Sequence, residues 1–189
     1  MKFKPGKKRY NDYPTFFKTL FEERVQKLSI DGGFTCPNRD GSKGVGGCSF
    51  CNNESFNPDY CRAVRGITEQ IDEGIRFFAR KYKGQRYLAY FQAYSNTYAP
   101  LDVLKLRYEE ALAHPMISGL VVGTRPDVVS EEVLDYLEKL ARRYYVCVEY
   151  GVESVNDTVL RQVNRGHDFA VAEQTIQATA GRGITIGAH

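Results

Sequence analysis

The sequence predicts an α/β domain with parallel strands, and three observations carry the prediction. Short runs rich in β-branched and aromatic residues recur along the chain, each followed by a stretch whose apolar residues fall at helical spacing. The repeat is ~30 residues, the length of a strand, a crossover helix and their loops. The residues with most chemistry to offer all fall just after strands, where α/β proteins collect function. Strands alternating with helices of this length pair in parallel through right-handed crossovers. Periodicity leaves open whether the sheet stays flat or curls into a barrel.

The elements follow in order. Residues 1–24 form a separate unit, a basic arm punctuated by Pro5, Gly6 and Pro14 and then a short helix in "TFFKTLFEER" (15–24). The main domain spans 25–189. "RVQKLSID" (24–31) reads as the first strand and runs straight into a cysteine-bearing loop. "TEQIDEGIRFFARKY" (68–82) carries Ile71, Ile75, Phe78 and Tyr82 at helical spacing, and "YLAYFQA" (87–93) is the second strand. "PLDVLKLRYEEALAH" (100–114) opens with Pro100 in a first helical turn, and "ISGLVVG" (117–123) is the third strand. Ser130 caps a helix over 131–143, whose early glutamates and late arginines suit the helix dipole, and "YYVCVEYGV" (144–152) is the fourth strand. A short helix over 156–163 precedes one capped by Asp168 that runs to Ala180; Gly181 and Gly183 stop it before "ITIGAH", the fifth strand. The sequence is thus read as ending inside that strand. An unpaired edge there points to self-association.

Composition narrows the classes of partner. Of 189 residues 42% are hydrophobic, enough for one domain with a sizeable core, and 26% are charged with a formal net charge of +3. No global charge excess calls for a nucleic acid or a membrane. There is no run of about 18 apolar residues and no apolar signal region, so the reading is a soluble, cytoplasmic protein. In a reducing compartment the five cysteines point to metal or catalysis rather than disulfides.

"FTCPNRDGSKGVGGCSFCNN" (34–53) sets Cys36, Cys48 and Cys51 around a glycine-rich loop. Eleven residues separate the first pair and two the second, so Cys48 and Cys51 chelate from one turn while the loop brings Cys36 back. Three thiolates leave one position of a 4Fe-4S cluster, or of a tetrahedral metal, open. Adding Cys61 gives four thiolates and the alternative of a non-catalytic zinc-stabilised module, one that binds RNA through Lys2, Lys4, Lys7, Lys8 and Arg9. Spacing leaves both open. The strand-to-helix position of the loop favours the cluster.

"CSFC", with Phe50 before the last cysteine and after a first strand, resembles the cluster loop of radical S-adenosylmethionine (SAM) enzymes. The longer "CPNRDGSKGVGGCSFC" resembles that of a bacterial subgroup labelled Fe-S oxidoreductases, related to the Elongator catalytic subunit and to oxygen-independent coproporphyrinogen oxidase. "YFQAYSNTY" is similar to the family's segment after the second strand, with Gln92, Ala93 and Tyr94 in place of its glycines. "YGVESVNDTVLRQVNRGH" (150–167) is similar to "GVQS", a helix, then "NR"; Glu153 and Arg165 take the places of the SAM-contacting residues. The resemblance implies a partial (β/α) TIM-like barrel, cut within its fifth strand. It implies a 4Fe-4S cluster on Cys36, Cys48 and Cys51, and SAM held near Phe50, Ala93, Tyr94, Ser95, Glu149, Glu153 and Arg165. It further implies reductive cleavage of SAM to methionine and a 5′-deoxyadenosyl radical, with a reductant such as flavodoxin or ferredoxin. The substrate stays unknown, with RNA suggested only by the Elongator-related branch, and a chain cut there is expected to be short of activity.

The residues themselves add to this. Strand alternation puts Glu149, Gly151 and Glu153 on one face, and carboxylates inside a barrel call for polar partners. An arginine fork at Arg165 suits a carboxylate. Arg125 and Asp127 in "TRPD" read as a turn, His189 as structural, Cys61 and Cys147 as ordinary buried residues, and the "YSNTY" tyrosines as packing or a ligand wall.

Overall fold

The computed structural model describes residues 10–52, 57–80 and 85–189. The basic arm (Lys2 to Arg9) and Tyr82 lie outside the described residues.

Five strands form one parallel sheet in the order of the chain: β1 (Arg24–Ile30), β2 (Gln85–Phe91), β3 (Ile117–Thr124), β4 (Tyr145–Tyr150) and β5 (Thr185–Ala188). This is a partial TIM-like barrel. The crossovers are α2 (Ile67–Ala79), α3 (Leu101–Leu112), α4 (Glu131–Ala141), and the pair α5 (Asp157–Gln162) and α6 (Phe169–Thr179). Alternation along each strand sorts its side chains onto two faces. Leu28, Ile30, Tyr87, Ala89, Phe91, Leu120, Val122, Val146, Val148 and Tyr150 pack under the helices. Val25, Leu88, Val121 and Cys147 point the other way, into the barrel interior, where Phe17 of α1 (Tyr13–Lys18) covers them.

Helix α1 thus closes the end of the barrel where the strands begin. It starts two residues before the expected 15–24 and stops six short of its end. Asp12 accepts from the Thr15 amide and Pro14 sits in the first turn, the signature of a helix start. At the other end the Thr19 hydroxyl donates to the Phe16 carbonyl at 2.6 Å, a local bond that competes with continuing the helix. The other caps fall where the sequence puts them, on Ser130 for α4 and Asp168 for α6. Pro100 is the N-cap of α3 rather than a residue of its first turn, because its extended ψ of 145° cannot be helical. Gly119 permits the close approach of β3 to β4: a Cβ there would lie 2.3 Å from the Tyr145 carbonyl oxygen. At the far end of β1, the wholly buried Gln70 of α2 pairs through its amide with both backbone polar groups of Asp31. No helix among the described residues is long and apolar enough to cross a membrane.

Candidate functional site

The loops that follow β1 to β4 all lie on the carboxyl edge of the sheet, and the cysteine loop after β1 is fastened to each of the others. The Ser95 amide of the β2 loop donates to the Thr35 carbonyl at 3.2 Å, and the Ser42 and Tyr98 hydroxyls pair at 2.7 Å. Toward the β3 loop, Lys43 Nζ reaches Asp127 Oδ2 at 2.7 Å. Toward the β4 loop, the Ser49 amide donates to the Val163 carbonyl at 3.0 Å and Asn164 donates to the Gly47 carbonyl at 2.9 Å. Gly47 needs its glycine identity: its φ is +78°, and a Cβ would lie 2.8 Å from the Arg39 guanidinium.

Within this frame Cys48 is buried, and Cys36 and Cys51 are half-buried. The Cys51 amide donates to the Cys48 carbonyl at 3.0 Å, closing the tight turn that holds both thiols. Two cationic or amide donors aim at the Cys48 sulfur, Arg165 Nη1 at 3.6 Å and Asn38 Nδ2 at 3.7 Å. Arg39 donates to the Cys51 carbonyl at 3.2 Å and stands over the Tyr94 ring. As the side chains stand, no group of three His, Cys, Asp or Glu among the described residues encloses a metal position. The fit to a thiolate-bound metal group therefore rests on the donor set and on the N–H groups turned toward it.

Arg165 is 6% exposed and fully engaged. Besides Cys48, its Nη2 donates to the Gly151 carbonyl and its Nε to His167 Nε2 at 3.0 Å. That bond requires an unprotonated His167 Nε2, and the opposite ring nitrogen lies 2.9 Å from the Asp168 carbonyl, so this tautomer suits both contacts. Burial holds the His167 pKa below its ordinary value.

Glu149 lies on the interior face, 11% exposed. Its carboxylate takes the Lys27 ammonium and faces His189 Nε2 at 3.3 Å. Burial works to raise its pKa, but bonds from Lys27, Tyr90 and His189 outweigh burial and hold it below the usual carboxylate range. His189, expected to be structural, thus belongs to this polar group. Glu153 does not continue the alternation of β4. The strand ends at Tyr150, the Val152 amide turns back to the Tyr150 carbonyl, and Glu153 adopts φ +66° with its carboxylate 3.9 Å from Arg165.

Tyr94, at φ +63° and 40% exposed, and Asn164, at φ +54°, share the left-handed conformation of Glu153. All three non-glycine residues with positive φ among those described lie in the loops at this edge. Such conformations cost ~1–3 kcal/mol each and collect at functional sites. Ser95 is wholly buried, and its hydroxyl has no partner within the protein. Ala93 precedes Tyr94, and its peptide bond to Gln92 is cis. Phe50, half exposed, stands beside Cys51.

Sequence reasoning missed Asn38, Lys43 and Asn164, and it picked out Arg125 and Asp127 in a turn without the pairing between them. "TRPD" is indeed a turn, a 3-10 turn over Pro126–Val128, but the turn folds Asp127 back onto Arg125. Arg125 Nε and Nη2 meet the two carboxylate oxygens of Asp127, both at 2.9 Å. Against burial, which works to raise it, the Arg125 fork and Lys43 hold Asp127 down at about 2. Arg125 is 3% exposed, and its Nη1 has no partner within the protein. A buried donor left unmade costs ~1–3 kcal/mol, more when charged. Cys61 stands apart: it is 1% exposed, and burial, with Asp31 nearby, pushes its thiol up to about 12.

A sequential parallel half-barrel with Cys36, Cys48 and Cys51 and the buried Arg125 and Arg165 on its carboxyl-edge loops defines a TIM-like α/β protein with a three-cysteine loop at that edge. The chain belongs to the Radical SAM superfamily, which its residues 36–188 match. It is 44% identical over 170 residues to the protein YhcC of Escherichia coli K12, covering 89% of this chain and 54% of that protein. It is 35% identical over 182 residues to YtqA of Bacillus subtilis strain 168, covering 96% of this chain and 56% of that protein. To MJ0486 of Methanocaldococcus jannaschii it is 32% identical over 184 residues, covering 95% of this chain and 55% of the relative. The chain spans about half the length of these relatives. Among solved structures it resembles the cobalamin-dependent S-adenosylmethionine radical enzyme OxsB, with aqua-cobalamin and S-adenosylmethionine bound. The TM-score is 0.51 at 14% identity, over 87% of this chain and 23% of that one. At that identity the likeness concerns the fold.

Proposed function

We propose that this chain is the core of a radical SAM enzyme, in which Cys36, Cys48 and Cys51 hold a 4Fe-4S cluster and the carboxyl-edge loops bind SAM. One observation supports this above the others: three cysteines share a loop tied to the β2, β3 and β4 loops, with N–H donors of Arg165 and Asn38 turned to the Cys48 sulfur. Such donors suit the charged sulfurs of a bound cluster. The chemistry that such a cluster supplies is one-electron cleavage of the SAM sulfur–carbon bond to methionine and a 5′-deoxyadenosyl radical.

The chain's own residues bind and orient. Phe50 and Tyr94, partly exposed beside the cysteines, offer apolar faces to an adenine ring. The buried Ser95 hydroxyl and the Ala93 backbone supply polar groups after β2. Glu153, adjoining Arg165, is the carboxylate placed for ribose hydroxyls, and Glu149 lines the interior beneath the site. Arg165, already spent on Cys48, Gly151 and His167, orients the cysteine loop. Electrons are to come from a small reductant of the flavodoxin or ferredoxin kind, and the substrate enters over the barrel interior. The zinc reading needs Cys61 as a fourth thiolate, whereas Cys61 is 1% exposed and lies outside the cysteine loop.

The test is anaerobic reconstitution with iron and sulfide, then electron paramagnetic resonance of the dithionite-reduced protein with and without SAM. The expected result is a reduced 4Fe-4S signal that changes with SAM, absent in Cys36→Ser, Cys48→Ser and Cys51→Ser and kept in Cys61→Ser. Zinc at one per chain, lost with Cys61→Ser and without that signal, would overturn the reading.

A further inference from the structure

Arg125 is a buried guanidinium with one donor unspent. Asp127 takes Nε and Nη2 in a two-pronged pair, and Lys43 of the cysteine loop holds Asp127 from the other side. The clamp fixes the plane of the fork and leaves Nη1 facing away from Asp127. Arg125 and Asn38 pack on the same glycine: a Cβ on Gly166 would lie 3.4 Å from Arg125 Nη2 and 2.9 Å from Asn38 Oδ1. Asn38 in turn touches the Cys48 sulfur. The clamp satisfies Asp127 with two of the three guanidinium nitrogens, so an ion pair alone gives no use for the third.

We propose that Arg125 is a charge-compensating residue of the cysteine site, its unpartnered Nη1 donating to the metal group that Cys36, Cys48 and Cys51 hold and so setting that group's reduction potential. This rests on the cluster reading above. Adding one electron to a thiolate-bound cluster increases its negative charge, and hydrogen bonds or cations at the sulfurs raise the potential at which that happens. Arg165 provides one such contact at Cys48, and the buried Arg125 adds a second cation from the β3 loop, its Nη1 left without a protein partner and so free for the metal group.

The experiment is a dithionite titration of the reconstituted protein, followed by electron paramagnetic resonance, for the wild type, Arg125→Gln and Arg125→Lys, with iron and sulfide counted in each. Arg125→Gln is expected to keep its iron and sulfide while the reduced-to-oxidised ratio at the wild-type midpoint falls tenfold, ~59 mV for a one-electron couple. Arg125→Lys keeps a cation against Asp127 but lacks the second prong, and should lie between the two. An unchanged midpoint in variants with a full cluster overturns the proposal. So does an unchanged midpoint joined to loss of the SAM-induced spectral change, which would assign Arg125 to SAM. If circular dichroism shows Arg125→Gln unfolded, Arg125→Lys decides alone, and a wild-type midpoint in it overturns the proposal. A wild type that takes up no cluster fails before any variant is compared, and that outcome sinks the cluster reading itself.

Discussion

Asp127 shows how a single carboxylate can organise a site it does not enter. It is 4% exposed, held by the Arg125 fork and the Lys43 ammonium, and so joins the β3 loop to the cysteine loop. Asp127→Asn leaves a buried guanidinium uncompensated, and breaking such a pair costs ~3–5 kcal/mol. Taking 3 kcal/mol as the lower figure, Tm should fall by ~6–12 °C in a chain of this size, measured by calorimetry. His167 gives a different signature. Its folded pKa lies below the unfolded value because of burial, so the unfolded chain binds a proton first as pH falls. The stability attached to the neutral ring is complete above pH ~6.5 and declines below it. Urea melts at pH 7.5 and 5.5 should show that decline in the wild type and a smaller one in His167→Gln. None of this was legible in "TRPD" or "NRGH" as strings. A turn signature tells where the chain reverses, whereas the pairing of Arg125 with Asp127, and of Arg165 with His167 and Cys48, depends on what the reversal brings together.

At the level of elements the sequence was a good guide where periodicity and caps agree. Ser130 and Asp168 begin their helices as read, and all five strands lie where apolar runs place them. Helix α1 was harder, since six residues hold little periodicity and its start depends on Asp12 and Pro14 rather than on the aromatic run. Its role is tertiary. Phe17, 3% exposed, meets Tyr145 edge-on with ring centroids 5.3 Å apart and covers Val25, Leu88, Val121 and Cys147. Phe17→Ala should cost ~3 kcal/mol or more. Limited proteolysis should then cut within residues 13–23 while the rest of the chain keeps its circular dichroism. Glu153 marks the opposite limit of pattern reading: alternation is valid only while the strand lasts, and β4 ends at Tyr150.

Across the whole molecule, four consecutive loops meet at one edge because the strand order repeats the chain order. That convergence followed from the βα alternation alone, and the family resemblance supplied the expectation of which cofactors to look for there. The individual ties were not readable, because Asn38, Lys43 and Asn164 act through backbone carbonyls and a distant aspartate. If the cysteine loop takes a cluster, hydrogen exchange should slow at the Gly47, Ser49 and Cys51 amides, with little change in β3 and β4. Mass spectrometry of the reconstituted and metal-free chain checks this, and uniform slowing across the sheet would count against a local effect. The same arrangement sets an order in time. Cys48 is translated 117 residues before Arg165, its guanidinium partner, a lag of ~6–23 s at ribosomal rates of 5–20 residues per second. During that interval the nascent thiols lack their last tether, so the cell's handling of metals and oxidants around the emerging chain decides what they first encounter.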